Sequence, residues 1–119
     1  MAEFTPADLD LLGRTAEVTL ERGRRQTTIW VVVADGVVYI RSVRGEQSVW
    51  YQALRNGAEA RLVAGSTAWP IGVTPVTHPA DIARVSEAIR AKYEARWPGP
   101  TAAMLRPEVL ATTLRVSPG

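Results

Sequence analysis

Basic residues, a hydroxyl group and a glycine come close together in one stretch of the chain, and this combination could bind an anion. Arg25 precedes a predicted strand, while Arg41-Ser42 and Arg44-Gly45 stand where the next strand leads into a predicted helix. Guanidinium groups bind phosphate in a bidentate manner, and free N–H groups at a helix start favour the same ligand. Arg24 stands beside Arg25, and together with Arg25, Arg41, Ser42, Arg44 and Gly45 it could form a cradle for phosphate.

Aromatic residues lie in the same stretch: Trp30 and Tyr39 on the two predicted strands, and Trp50 and Tyr51 on the helix that follows. Such side chains could stack on a flat ring system. They could equally be core or dimer-interface residues, with the arginines forming surface ion pairs that contribute little. Composition and spacing taken alone favour this second interpretation.

Other kinds of chemistry have little support in the sequence. The chain has no Cys and one His, so a catalytic metal site is not expected. His78 could act as a base oriented by Asp81, but a cap at the start of the next helix is the preferred interpretation. No GxSxG elbow, Walker loop or GxGxxG loop is present, which disfavours a Ser-His-Asp triad and the common nucleotide loops.

Length and charge restrict the class of protein. A chain of 119 residues, with 46% hydrophobic and 22% charged residues, predicts one globular domain spanning 1–119. The formal net charge of +2, with both signs interspersed, makes nucleic acid a poor partner. No apolar run reaches the roughly 20 residues of a membrane helix, and the first residues lack a signal-peptide pattern. We expect a cytoplasmic protein without a membrane partner.

Strands dominate the pattern. The strongest signal is Asp35-Gly36 between two β-branched runs, which predicts a hairpin with a type I′ turn. Pro70 and Pro75 cannot donate ladder hydrogen bonds, so their strand is expected to be bulged or to lie at a sheet edge in places. The predicted strands are 16–21, 27–33, 37–43, 59–64, 68–77 and 112–116.

Helices are predicted between these strands. Thr5 and Pro6 begin a short helix that ends at Gly13, and the ranges 47–56 and 79–97 have apolar residues at helical spacing. Residues 101–110 are expected to be partly helical. Six mostly antiparallel strands with inserted helices predict an α+β fold built on a small β-barrel, and the strand count also leaves an OB-fold open.

The motifs TTIWVV, YIRSVRG and VWYQALRNGAEARLVAG, together with the ending ATTLR at 111–115, resemble the flavin-binding split-barrel superfamily. The likeness runs from about Arg24 to Gly65. It points to the branch of deazaflavin-dependent nitroreductases and quinone reductases, and most closely to small bacterial proteins of the superfamily without an assigned activity.

This resemblance implies a six-stranded antiparallel split β-barrel that forms a homodimer and binds FMN or a deazaflavin at the subunit interface. It implies an oxidoreductase acting on small organic substrates, with no side chain assigned as acid or base. Thr27 and Thr28 match the family's TT, Ser42 and Gly45 match its phosphate loop, and Trp50 and Tyr51 match its WY.

The residues that the pattern and the resemblance together predict to bind cofactor are Arg25, Thr27, Thr28, Trp30, Arg41, Ser42, Arg44, Gly45, Trp50 and Tyr51. The rival hypothesis is a non-catalytic dimeric split barrel whose groove is filled by its own side chains, such as Trp69 or Trp97, and which binds another small ligand or a protein.

Overall fold

The computed structural model describes residues 3–119 and shows a mixed α+β fold. Within these residues there are five α-helices: α1 (Pro6–Arg14), α2 (Val49–Arg55), α3 (Pro79–Tyr93), α4 (Pro98–Met104) and α5 (Pro107–Leu110). The strands are β1 (Glu17–Arg22), β2 (Arg25–Trp30), β3 (Val32–Ala34), β4 (Val37–Ile40), β5 (Ala60–Ala64), β6 (Thr67–Pro75) and β7 (Leu114–Pro118). A short 3-10 turn, Gly45–Gln47, precedes α2.

The strands form one antiparallel sheet in the order β2-β1-β5-β6-β7-β4-β3. The two edge strands, β2 and β3, are consecutive in the chain and are separated only by Val31. Opposite edges of a sheet can be joined by one residue only if the sheet curls back on itself. The result is a curled half-barrel, in agreement with the predicted antiparallel barrel.

The sheet has seven strands, so the predicted number of six was wrong. Residues 27–33 were expected to form one strand, but it divides at Val31, where side chains of α3 replace a strand neighbour. The Val31 N–H donates to Tyr93 Oη at 3.2 Å, and the Val31 carbonyl accepts from Lys92 Nζ at 2.6 Å. The backbone groups at the crossing between the two edges are therefore satisfied without a strand on either side.

The predicted hairpin is confirmed. Asp35 and Gly36 both have positive φ, 50° and 76°, and the turn joins β3 to β4 with Ala34 opposite Val37. Strand β4 ends at Ile40 instead of the predicted Val43. The residues before Val31 belong to β2, which pairs with β1 and not with β4. Residues after Ile40 therefore have no strand beside them.

The other boundaries follow local chemistry. Thr5 caps α1 through a capping box with Asp8, and His78 caps α3 by accepting from the Ala80 N–H at 3.2 Å, as the preferred interpretation of His78 predicted. Helix α3 stops at Tyr93 rather than at the predicted Trp97. Trp97 itself is not helical, with a φ of −136°, because Pro98 disfavours helical backbone at the residue before it.

The pairing of strand β6 explains how the sheet accommodates Pro70 and Pro75. Its first half, up to Ile71, pairs with β5, and its second half, from Ile71, pairs with β7. Pro70 and Pro75 thus each lie in a half that has one ladder neighbour, so the missing N–H can face away from the ladder. This confirms the prediction that the strand is an edge in places.

Apolar side chains pack on both faces of the sheet. The larger cluster fills the inside of the curl, where Leu12 of α1 and Trp50 and Leu54 of α2 meet residues such as Val18 and Leu20. The smaller cluster lies outside, where α3 and α4 pack against β3 and β4 through Val85, Ile89, Tyr93 and Met104. Within residues 3–119 no helix has the length and apolar character needed to cross a membrane.

Candidate functional site

The hairpin β3–β4 forks at its open end, and a groove lies in the fork. The last pair between β3 and β4 is Val32 with Tyr39. One arm of the fork is β2, which precedes Val32 and pairs with β1, and the other arm is the segment 41–50, which follows β4. The groove between them has a volume of about 1210 Å³. Its wall is formed by Glu17, Arg22, Arg25, Gln26, Thr27, Thr28, Ile29, Trp30, Arg41, Ser42, Val43, Arg44, Gln47, Ser48, Val49, Trp50, Trp97, Pro100 and Met104.

The structure brings most of the predicted cofactor-binding residues to this groove. Those in its wall are Arg25, Thr27, Thr28, Trp30, Arg41, Ser42, Arg44 and Trp50. Gly45 and Tyr51 are buried and are not part of the wall. The Tyr51 hydroxyl donates to the Ala111 carbonyl at 3.4 Å, so this residue ties α2 to the segment before β7.

Arg41 has a different role from the exposed phosphate ligand that the sequence pattern predicted. Its side chain is 2% exposed, and Nε donates to Thr113 Oγ1 at 2.9 Å. One terminal nitrogen donates to Ser86 Oγ and the Met104 carbonyl, and the other donates to the Ile82 carbonyl. Four of the five N–H groups of a guanidinium are therefore used within the protein.

The partners of Arg41 are all uncharged, so its positive charge is buried without a carboxylate. Burial lowers the pKa of Arg41 to about 10, which still leaves the guanidinium charged at neutral pH. A fixed charge in a water-poor wall acts over a longer distance than an exposed one. Arg41 therefore holds buried segments together by hydrogen bonds and also contributes positive potential to the groove.

The predicted phosphate loop is bonded to itself. Ser42 Oγ donates to the Gly45 carbonyl at 2.9 Å, and the Gly45 N–H donates back to the Ser42 carbonyl at 3.0 Å. The Ser42 N–H donates to Thr112 Oγ1. These groups were expected to donate to a phosphate, but they are committed to a tight turn whose Gly45 has a φ of 76°. The Ser42 hydroxyl and the N–H groups of Ser42 and Gly45 therefore already have partners within the protein.

Charge is concentrated in the groove. Its wall holds four arginines, Arg22, Arg25, Arg41 and Arg44, and one acid, Glu17. The formal charge of the wall is therefore +3, whereas the whole chain carries +2 and the remainder carries −1. None of these arginines takes part in an ion pair within residues 3–119. A groove of this kind attracts anions.

Aromatic rings form the other part of the wall. Trp30 stacks on Tyr93 with centroids 3.8 Å apart and an interplanar angle of 5°. Trp97 lies 6.1 Å from Trp30 between centroids, and its ring is covered by the Arg96 guanidinium at 4.7 Å. Trp50, on the opposite arm, packs edge to face with Tyr51. Three tryptophans thus reach the groove, two of which the sequence pattern had placed there.

Several wall residues were missed by the sequence analysis. Arg22 could have been found, because the turn Gly23-Arg24 places it opposite Arg25 in the β1–β2 hairpin. Trp97 carries no such signal, since it reaches the groove from the segment after α3. Val43 and Val49 are 39% and 62% exposed and both lie in the wall, where binary patterning alone gives no reason for an exposed apolar side chain.

Metal chemistry has no support from the part of the chain that the structure describes. No group of three or more His, Cys, Asp or Glu residues there could hold a metal ion. His78, the one histidine, has its Nδ1 occupied by the helix cap. The arrangement of the groove suits binding of an anionic aromatic molecule and provides no acid–base pair in its wall.

Fold and groove together define an α+β protein with a curled, half-barrel antiparallel sheet of seven strands and a basic, aromatic groove in the fork of its β3–β4 hairpin. The chain belongs to the family described as "Uncharacterized protein conserved in bacteria (DUF2255)", whose profile matches residues 7–116. Proteins with curated functions give no significant match to this chain.

A solved structure, that of the FAD and heme binding protein from Mycobacterium smegmatis, is similar to this chain with a TM-score of 0.50. The two sequences are 20% identical, and the similarity covers 98% of this chain and 67% of the mycobacterial one. At this identity the likeness shows a shared fold, and it agrees with the curled sheet described above.

Proposed function

We propose that the groove binds a flavin-type cofactor, FMN or a deazaflavin, and that the protein acts as an oxidoreductase on small organic substrates. The observation that carries the proposal is the meeting of a net charge of +3 and three tryptophans in one groove of about 1210 Å³. Small-molecule pockets are commonly about 300–1,000 Å³, so there is room for a ring system and a phosphate-bearing tail.

The residues present fit such a cofactor. Exposed guanidinium groups of Arg25 and Arg44 can hold the phosphate, and the ring can lie against Trp30, Trp97 or Trp50. When bound, the cofactor supplies hydride chemistry, and the protein supplies binding, orientation and electrostatics. The fold is shared with a protein whose name states that it binds FAD and heme, which supports the flavin half of the proposal.

The proposal includes a homodimer in which the open side of the groove is covered by a second copy. Val43 and Val49 are the large apolar side chains that the described residues leave exposed, and both border the groove. Strand β2 borders it too and has a strand neighbour on one side only. Exposed apolar side chains beside an unpaired strand edge are typical of a surface that is covered in the assembled protein.

The rival hypothesis, a groove filled by the protein's own side chains, gains no support. Trp69 packs against Phe4 in the inner cluster, away from the fork. Trp97 lies in the wall and leaves the groove open. An open, arginine-lined groove is the opposite of what this hypothesis predicts.

A spectroscopic titration tests the proposal. We expect the absorbance of FMN or of a deazaflavin to shift, and its fluorescence to be quenched, when the protein is added, because stacking on tryptophan changes both. Arg44→Gln should weaken binding by about tenfold, the value of one charge-assisted hydrogen bond. The matched control is Arg55→Gln, an exposed arginine of α2 outside the groove. Unchanged spectra with both cofactors would refute the proposal.

A further inference from the structure

We propose that Lys92 is a site of covalent modification by activated acyl groups, and that acylation of its amine loosens the crossing between β2 and β3. Lys92 is the one lysine of the chain, whose 13 other basic residues are arginines. Its amine lies between the end of α1 and Val31 and does not line the groove. The site is therefore separate from the groove and does not depend on what the groove binds.

Two backbone carbonyls hold the amine in place. Lys92 Nζ donates to the Leu12 carbonyl at 2.9 Å and to the Val31 carbonyl at 2.6 Å, and both of these residues are buried. An ammonium has three N–H groups, and the third is directed away from the two acceptors. Loss of that proton breaks neither hydrogen bond, and it leaves the lone pair of the nitrogen on the side away from the carbonyls.

The amine has no carboxylate partner among residues 3–119, and its side chain is half-buried. Burial disfavours the charged form and lowers the pKa of Lys92 to about 8. Part of the amine is therefore unprotonated near neutral pH. A lysine that is desolvated in this way acts as a nucleophile, which an ordinary exposed lysine does poorly.

The charged groups of the surrounding elements do not supply a counter-ion. Arg14, at the end of α1, is paired with Asp10. Glu17 of β1 forms no ion pair among the described residues, and it acts on Tyr93, whose pKa is raised by burial and to a smaller extent by this carboxylate. Arg96, one helical turn beyond the amine, adds a second positive charge.

The reaction transfers an acyl group from a donor RC(O)–X, in which X is a phosphate or a thiolate. The lone pair of Nζ attacks the carbonyl carbon, so that a C–N bond forms. The C–X bond then breaks, and X leaves with the bonding electron pair. The nitrogen gives one proton to water, and the products are an amide, the free group X and a proton. No oxidant or reductant takes part.

The amide that results cannot serve both carbonyls. Its nitrogen carries one N–H group, whereas the amine donates to the carbonyls of Leu12 and Val31. One of these buried acceptors loses a donor, which destabilises the folded chain. Trp30, which precedes Val31, lines the groove, so the loosened segment borders the proposed binding site.

Acetyl phosphate is the probe, and mass spectrometry of peptides from the treated protein measures acetylation at each position. The variant Arg90→Lys is the matched control, because it places a lysine on the exposed side of the same helix. At pH 8 we expect Lys92 to be acetylated about tenfold faster than the introduced lysine. About half of the Lys92 amine is unprotonated at this pH, compared with under about 1% of an ordinary lysine, and the lower nucleophilicity of a less basic group offsets part of this advantage.

The pH profile provides a second readout. The rate at Lys92 should level off above about pH 8, whereas the rate at the introduced lysine should keep rising to about pH 10. Acetylated wild-type protein should melt roughly 4 °C below the untreated protein, the effect of one buried acceptor without a donor. Lys92→Arg, which keeps a cation but has no amine to acylate, should melt at the same temperature before and after treatment.

The same measurements with acetyl-coenzyme A identify the donor. Acetylation of Lys92 by acetyl phosphate alone assigns acyl phosphates to the site, and acetylation by acetyl-coenzyme A alone assigns thioesters. Equal or faster reaction of the lysine introduced by Arg90→Lys with both donors would overturn the inference. So would an equal loss of melting temperature in treated Lys92→Arg. Neither result bears on the flavin titration, so the two proposals fail separately.

Discussion

Arg41 joins four segments of the chain through its guanidinium. Its hydrogen bonds reach Thr113, Ser86 and the carbonyls of Ile82 and Met104, and every acceptor except Thr113 belongs to α3 or α4. A buried acceptor that loses its donor keeps the cost of desolvation. The shape of the fork therefore depends on this side chain as much as on apolar packing.

Replacing Arg41 by alanine should lower the free energy of unfolding by about 3 kcal/mol, because the change leaves a cavity and several unsatisfied acceptors. Urea unfolding followed by circular dichroism measures the difference. Arg44→Ala is the control: this arginine is exposed and three residues away, and its removal should change stability by no more than about 0.5 kcal/mol. Similar losses in both variants would contradict the bracing role.

The burial of Arg41 could not be read from the sequence. The pattern predicts an arginine at the end of a strand, where exposure is usual. What buries it are partners 41 to 72 residues away in the chain. Arg25 and Trp30, by contrast, were predicted to border the site and do line the groove, because their placement follows from a hairpin that the local sequence specifies.

At the scale of elements, α3 controls how the sheet curls. Lys92 Nζ donates to the Leu12 carbonyl at 2.9 Å and to the Val31 carbonyl at 2.6 Å, so it links the end of α1 to the crossing between β2 and β3. Tyr93 Oη lies 2.6 Å from the Ala16 carbonyl and also accepts the Val31 N–H. One helical turn thus holds the residue at which the sheet passes from one edge to the other.

Burial lowers the pKa of Lys92 from 10.5 to about 8. Between these values the unfolded chain keeps a proton that the folded chain has lost, so the free energy of unfolding rises with pH. We expect this rise from pH 8 to about 10 in the wild type, and a smaller rise in Lys92→Met, which has no such group. Loss of the proton does not break the hydrogen bonds of Lys92, because its neutral amine still has two N–H groups for the carbonyls of Leu12 and Val31.

Urea unfolding at several pH values in this window provides the measurement. Burial also raises the pKa of Tyr93 from 10.0 to about 12, which lowers stability only above about pH 10 and leaves the window free. Arg90→Met, on the exposed side of the same helix, should keep the wild-type slope. Identical slopes for the wild type and Lys92→Met would show that the Lys92 amine is not desolvated in the folded chain.

Most elements were predictable because their signals are local. The Asp35-Gly36 turn and the capped start of α1 depend on residues within a few positions, and both are confirmed. The division of the long strand at Val31 was not predictable, since β-branched residues run through it without a break. It depends on Lys92 and Tyr93, 61 and 62 residues further along.

On the scale of the whole molecule, the fork is a groove with one open side. The sheet curls until its edges nearly meet, but the divergence of the β3–β4 hairpin beyond Val31 leaves the groove uncovered there. The fold class was predictable from strand order and inserted helices. The exposure of Val43 and Val49 beside the groove was not predictable, because the groove forms only where the two arms of the fork come together.

The proposed homodimer predicts a particle of about 26 kDa, twice the 13.0 kDa of the chain, in sedimentation equilibrium. Val49→Arg should shift this equilibrium towards the monomer, because a cation placed in an apolar interface loses its hydration without gaining a partner. In the monomer Val49 is 62% exposed, so the same change should alter the folding stability by only about 0.5 kcal/mol.

The control for this variant is Ala83→Arg, which adds the same charge to the exposed side of α3, away from the groove wall. It should leave the wild-type mass unchanged. A wild-type mass of one chain at all concentrations would contradict the dimer, and so would an equal shift of the mass by Ala83→Arg and Val49→Arg.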